Sequence, residues 1–312
     1  MGIFMRMKPI FALALSLVLT SGFAAEKRVC VIVNPISGGI DKKALVERIQ
    51  ESLSQFEVEI LYTQRAKHAS ELAKDAVERH ADIVIAVGGD GSVNEVGQAL
   101  IGSEAALGII PTGSGNGLAR HLRIPLEVDQ AIEVIKNGHA QTIDTVKVND
   151  RYYLGVAGIG FDAEIGWAFA KFGKRGFLPY VLLTLAEFPK YEPKIYELSI
   201  DGEEISREAF LISFANSSQF GGEAEIAPKA KIDDGYLDVV ILKKFPLLSA
   251  PKLAYQLFHS KFNRSRYVET RRGKKITVKG ENLKVHLDGE PVLFSNQMDL
   301  EVLPHSLIVL VP

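Results

Sequence analysis

The stretch "DIVIAVGGDGSVNEVGQAL", residues 82–100, joins an apolar run, a glycine cluster and a segment with helical spacing. A continuous apolar run of this length reads as a strand buried on both faces, the kind found in parallel sheets flanked by helices. Gly88, Gly89 and Gly91 let the backbone come close to a phosphate. The helix that starts near Ser92 supplies N–H donors and a positive dipole end. Asp90 stands in the middle of this loop, where it would repel a bare phosphate. Two readings follow. Either a divalent cation lies between the carboxylate and the anion, or Asp90 and Asn94 cap the turn and the helix. The residue types leave both open.

The same strand–loop–helix unit recurs on either side. "VCVIV" leads into "NPISGG", with Asn34, Ser37 and Gly38, and then into "IDKKALVERIQESL". "VEILYT", ending at Thr63, leads into "QRAKHASELAKDAVERH". "ALGIIP" leads into "TGSGNG", where Thr112, Gly113, Ser114, Gly115 and Asn116 form a backbone nest with hydroxyl donors. Strands alternating with helices predict a Rossmann-like parallel sheet, with ligands beyond the carboxyl ends of its strands. Neither a P-loop nor a GxGxxG fingerprint is present. From about residue 140 the pattern becomes β-like runs broken by Asn-Asp, Asp-Gly and Lys-Gly turns, which predicts a sandwich-like second part. The expected division is a leader over 1–25, an α/β nucleotide-binding domain over 26–139 and a β-rich domain over 140–312.

The 312 residues are 47% hydrophobic and carry a formal charge of −2, so net charge gives no pull toward nucleic acid. The single cysteine, Cys30, excludes disulfides within the chain and cysteine-ligated metal. The seven histidines lack zinc-site spacing, and His121 and His286 read as structural or surface residues. Arg6 and Lys8 precede an apolar run to Leu19 and small residues at Gly22 and Ala24, the pattern of an export signal. The segment Trp167–Lys190 mixes aromatic and basic residues, and reads either as a core-facing helix or as a membrane-surface helix.

"NPISGG", "GGDGSVNEV" and "TGSGNGLAR", in this order, resemble the diacylglycerol kinase catalytic family, which includes bacterial lipid kinases and sphingoid-base kinases. "FGGEAEIAPKAKIDDGYLDVVIL" and "HLDGEPV" resemble its second-domain signatures, so the likeness runs from about residue 27 to the end. The resemblance implies ATP and Mg²⁺ as cofactors, a lipid substrate at a membrane surface and no nucleic-acid partner. The oligomeric state stays open, with a homodimer among the outcomes. Asp90 would act through Mg²⁺, supported by Asn94 and Glu95, and Glu290 would be the general base for the lipid hydroxyl. A structural Mg²⁺ would take the Asp234 carboxylate and the main-chain carbonyls of Lys231 and Tyr236. Gly117 departs from the acid common among diacylglycerol-directed members, which leaves the lipid class open. The rival readings are a NAD kinase and an exported lipid-binding protein without activity.

Overall fold

The structure, a computed structural model, describes residues 26–39, 41–172 and 177–312. The export-like segment at 1–25 lies outside the described residues. The first part runs β1 (Arg28–Val33), α1 (Lys42–Ser52), β2 (Glu57–Tyr62), α2 (His68–Glu78), β3 (Ile83–Gly88), α3 (Asp90–Leu100), β4 (Ala106–Pro111), α4 (Gly117–His121) and α5 (Val128–Asn137). β2, β1, β3 and β4 lie side by side, all parallel. β3 and β4 are buried along their whole length, as their unbroken apolar sequence requires. The start of α1 is set by Asp41, whose carboxylate accepts from Lys43 N at 2.9 Å.

The second part runs β5 (His139–Val148), β6 (Arg151–Tyr153), β7 (Val156–Gly160), α6 (Phe161–Phe172), α7 (Phe177–Glu187), β8 (Lys194–Ile200), β9 (Glu203–Ala215), β10 (Gln219–Gly221), β11 (Ala224–Glu225), β12 (Leu237–Lys243), α8 (Ala250–Leu257), β13 (Val268–Gly273), β14 (Lys275–Lys279), β15 (Leu283–Leu287), β16 (Glu290–Phe294) and β17 (Gln297–Val311). Its strands pair antiparallel around a core that includes Tyr153, Phe214, Val285 and Met298. A further apolar cluster gathers Phe161, Phe210, Leu253 and Phe262 beneath α6 and α8.

β17 joins the two parts. Its first half pairs with β14 and β5; the register then shifts between Leu303 and Leu307, and the final residues pair parallel with β4, Ile308 opposite Ala106. Leu307 and Val309 are wholly buried in the first core. The run "LIVLV" is apolar at every position, the mark of a strand covered on both faces, and it closes a sheet edge that β4 would otherwise expose. The chain therefore returns at its end to the sheet from which it started.

Candidate active site

Three glycine loops meet at the carboxyl ends of β1, β3 and β4. Asn34 Nδ2 donates to Ser92 Oγ at 3.0 Å, and Ser37 Oγ and Thr112 Oγ1 share a hydrogen bond of 3.0 Å. The backbones touch. A Cβ on Gly113 would lie 2.5 Å from the Gly89 Cα, and one on Gly38, whose φ is +71°, would run into the Thr112 carbonyl. Only glycine permits this approach at Gly38. Thr63 is half-buried at the end of β2, and Ser114 is exposed at the crest of the loop after β4.

The position of Asp90 explains an acid among glycines. As the first residue of α3 it faces the positive end of its own helix. Its carboxylate also accepts from Asn116 N at 2.8 Å and Gly117 N at 2.7 Å, tying the GGDG loop to the start of α4. Asn116, in the left-handed region at φ +53°, turns its amide back onto the Gly113 peptide. Asn94 is buried and accepts from Gln98 Nε2. Glu95 reaches away from its own loop to α2, accepting from Lys67 N at 3.0 Å and Ala69 N at 3.1 Å. Gly117 has a steric reason, since a Cβ there would press on Gly221 N and the Gln219 carbonyl, both about 3.2–3.3 Å away. Gly222 N closes this contact by donating to the Gly115 carbonyl.

The opposite side is the β15–β16 hairpin. Asp288 and Gly289 both have positive φ, +47° and +85°, as a two-residue hairpin of the primed type demands. The Asp288 carboxylate accepts from Leu154 N, Gly155 N and Val156 N at 2.7–2.9 Å, pinning the turn to the β6–β7 connection. Burial pushes its pKa up to about 6 although these three donors pull the other way; the charge of Asp90 adds to the rise. Glu290, the next residue but one, has its pKa raised by desolvation and by the charge of Glu95, against Lys67 and Arg151. Leu154, whose N–H holds the Asp288 turn, sets its side chain against Gly97 of α3, so the hairpin that carries Glu290 stands beside the glycine-loop helix. Glu290 itself is open to solvent.

Behind the hairpin is a buried polar chain. Gly289 N donates to His286 Nδ1 at 3.4 Å, which leaves His286 Nε2–H to donate to Asp162 Oδ2 at 3.3 Å; Ser213 Oγ donates to the same oxygen at 3.3 Å. His286 and Asp162 are both buried. His121 is the second internal histidine: its Nδ1 accepts from Ser218 N at 3.1 Å, and burial pushes its pKa down to about 4.

Sequence reasoning singled out none of Asp288, Asp162 and Asp144 as site residues. Asp144, wholly buried, accepts from Gly235 N at 2.6 Å and His305 N at 2.8 Å, and its own N–H donates to the Ile232 carbonyl. The lone acid in the apolar run "TIDTV" was the available signal, because a buried carboxylate has to be met by donors. Asp144 thus shapes the loop bearing Lys231, Asp234 and Tyr236. In that loop the Asp234 carboxylate is taken by the Arg272 guanidinium and by Tyr236 N at 3.2 Å, and Arg272 also stacks on the Tyr236 ring. Arg272 supplies the positive charge that a cation would bring, so as folded this loop does not fit a bound Mg²⁺. Among the described residues no three His, Cys, Asp or Glu side chains cluster to hold a metal.

Comparison with known proteins agrees with the geometry. The diacylglycerol kinase catalytic domain family matches residues 28–148, and the YegS C-terminal NAD kinase beta sandwich-like domain matches residues 155–311. A diacylglycerol kinase of Bacillus subtilis (strain 168) is 32% identical over 272 residues, covering 85% of this chain and 90% of the relative. One from Staphylococcus saprophyticus is 29% identical over 85% of this chain and 89% of its own length. In fold, the chain is similar to a crystal structure of a diacylglycerol kinase from Bacillus anthracis str. Sterne, with a TM-score of 0.72 at 22% identity, covering 92% of this chain and 98% of that one. The chain belongs to the diacylglycerol kinase catalytic-domain family.

Proposed function

We propose that this protein is an ATP-dependent lipid kinase that transfers the γ-phosphate to a hydroxyl of a diacylglycerol-like or sphingoid-base-like lipid. Diacylglycerol is the first candidate because the relatives of similar length carry that name. One observation supports the reading: Asp288 ties the Glu290 hairpin to Leu154, whose side chain lies against Gly97 of the glycine-loop helix, which brings an acid of raised pKa to the side of the phosphate-type loops. Phosphoryl transfer asks a protein chiefly for positioning, charge neutralisation and an oriented hydroxyl.

The residues divide the work as follows. Gly88, Gly89, Gly91 and the first turn of α3 receive the phosphates, and Thr112, Gly113, Ser114, Gly115 and Asn116 line the nucleotide side with Asn34, Ser37, Gly38 and Thr63. Each Asp90 oxygen accepts one N–H in the structure and keeps a lone pair. That suits a water-mediated contact to a phosphate-bound Mg²⁺, whose chemistry would be neutralisation of the charge on the β- and γ-phosphates. Glu290 takes the proton of the lipid hydroxyl as its oxygen bonds to the γ-phosphorus and the bond to ADP breaks. Segment 26–139 would then serve the nucleotide and segment 140–312 the lipid, with β17 fixing one to the other.

The test is transfer from γ-labelled ATP to diacylglycerol, monoacylglycerol, ceramide and sphingoid bases in mixed micelles with Mg²⁺. Labelling of one lipid class is expected, falling about 10²–10⁴-fold in Glu290→Ala and strongly in Asp90→Ala. Phosphorylation of NAD with no lipid labelled would move the chain to a NAD kinase. ATP binding absent altogether would favour the lipid-binding reading.

A further inference from the structure

Between Asp238 and Glu269 the chain has no acidic residue, while Lys243, Lys244, Lys252, Lys261, Arg264 and Arg266 all fall within it. In a protein of net charge −2 this is a segregated basic segment. Lys243 pairs with Glu269, but none of the other five forms an ion pair with a described carboxylate. The same segment exposes apolar side chains that a monomer in water gains nothing by showing. Leu248 is 95% exposed and Leu247 63%, at the tip of the turn before α8, and Tyr255 on α8 and Phe258 just past its end are open as well. Leu182 and Leu185 of α7 are also exposed, 58% and 65%. The two apolar patches are joined beneath by Phe188 and Phe245, whose ring centroids are 5.8 Å apart.

We propose that this face, the turn at 246–249 with α8 and the exposed leucines of α7, docks the kinase on an anionic lipid bilayer. Leucines at a projecting tip insert among the acyl boundaries, and the lysines and arginines around them meet lipid phosphates, the two contributions that hold a peripheral protein at a membrane. Leu247, Leu248, Tyr255 and Phe258 sit within the basic segment, so the occupant favoured by charge is a negatively charged surface. The face also leads toward the chemistry. Phe188 packs on Phe161 and Phe210, and Phe161 opens α6, the helix that lies along β15 and β16 behind Glu290. This inference rests on the reading of the substrate as a membrane lipid, but its test reads position rather than turnover, so the two fail separately.

The test uses the full chain carrying a nitroxide at Leu248→Cys, with Gln55→Cys, at the far β2 end of the sheet, as reference. Cys30 is buried, with its thiol pushed up to about 12, and stays unlabelled. With phosphatidylglycerol vesicles the label at 248 becomes shielded from a water-soluble nickel chelate and accessible to oxygen, while the label at 55 remains in water. Phosphatidylcholine vesicles give neither change. Combining Lys244→Glu, Lys252→Glu and Arg264→Glu lowers partition to phosphatidylglycerol about tenfold or more and returns the label at 248 to water. A label at 248 that stays open to the chelate in vesicle-bound protein overturns the proposal, as does the absence of any binding. Immobilisation at 248 that grows with protein concentration without lipid also overturns it, by making a second copy the occupant.

Discussion

The two walls of the crevice are built in opposite ways. The glycine-loop wall consists of backbone: three loops stack because no side chain keeps them apart, and its polar links, such as Asn34 to Ser92, are short bridges between one loop and the next. The hairpin wall consists of buried polar side chains that reach across the chain, with Asp288 gripping Leu154, Gly155 and Val156 and His286 gripping Asp162. Each loop of the backbone wall is written in one short glycine-rich stretch, whereas the buried carboxylates of the hairpin wall meet partners more than 120 residues away. The first offers a shape for an anion; the second aims a carboxylate at it.

The strongest way to break the contrast is to add one atom to the backbone wall. In Gly115→Ala the new Cβ would lie 2.6 Å from Asp90 Oδ2, so the carboxylate must give up a donor on α4. We expect a loss of about 1–3 kcal/mol in urea unfolding and severely reduced transfer. Gly91→Ala is the complement. Nothing lies within 4 Å of a Cβ there and the position is helical, so stability should rise by about 0.5–1 kcal/mol. If phosphates press on this loop, the same variant raises KM for ATP; an unchanged KM would show that Gly91 answers to no ligand.

On the hairpin wall, the two nitrogens of His286 can be tested apart. His286→Asn can keep an acceptor for Gly289 N, and His286→Gln can keep a donor for Asp162. Should the imidazole position the Glu290 turn, the asparagine variant retains more of kcat than the glutamine variant, with KM for ATP equal in both. Equal losses would mean that the ring only fills space.

A subtler effect joins the two walls. Glu290 must be ionised to accept a proton, so activity falls as pH drops through its raised pKa. Glu95→Gln removes one of the charges that raise it and should move the acid limb of the kcat profile to lower pH. Stability shows the smallest effect, because two groups oppose one another. His121, depressed to about 4 from 6.5, contributes stability above pH 6.5 that is lost as pH falls toward 4. Asp288, raised to about 6 from 3.8, binds its proton more tightly when folded, so stability is gained as pH falls from 6 to 4. His121→Asn should therefore leave a chain whose urea midpoint rises across that window.

The same contrast explains what could be read in advance. "DIVIAV", "ALGIIP" and "VCVIV" disclose a parallel sheet because burial on both faces forces unbroken apolar runs, and the glycine clusters disclose the backbone wall because close approach forbids side chains. Asp288 looked like half of an ordinary Asp-Gly turn, and its turn geometry is ordinary; the three donors that meet its carboxylate lie more than 130 residues earlier in the chain. Glu95, which its sequence neighbours assign to its own loop, caps α2 instead, a choice made by how two helices pack. Arg272 beside Asp234 was invisible for the same reason, since only the pairing of β12 with β13 brings them together.

β17 has a consequence for the order in which the molecule can mature. During synthesis β1 to β4 emerge early, yet the strand that covers β4 follows only after the whole β-rich part, with Ile308 facing Ala106. Until then the nascent first sheet carries a bare parallel edge, the kind of edge that recruits other chains. Closing a loop of this length is entropically slow, so the interval is a window for chaperones and for aggregation rather than for catalysis. Deleting residues 308–312, far from the glycine loops in sequence, should lower the yield of soluble protein more than most substitutions at those loops.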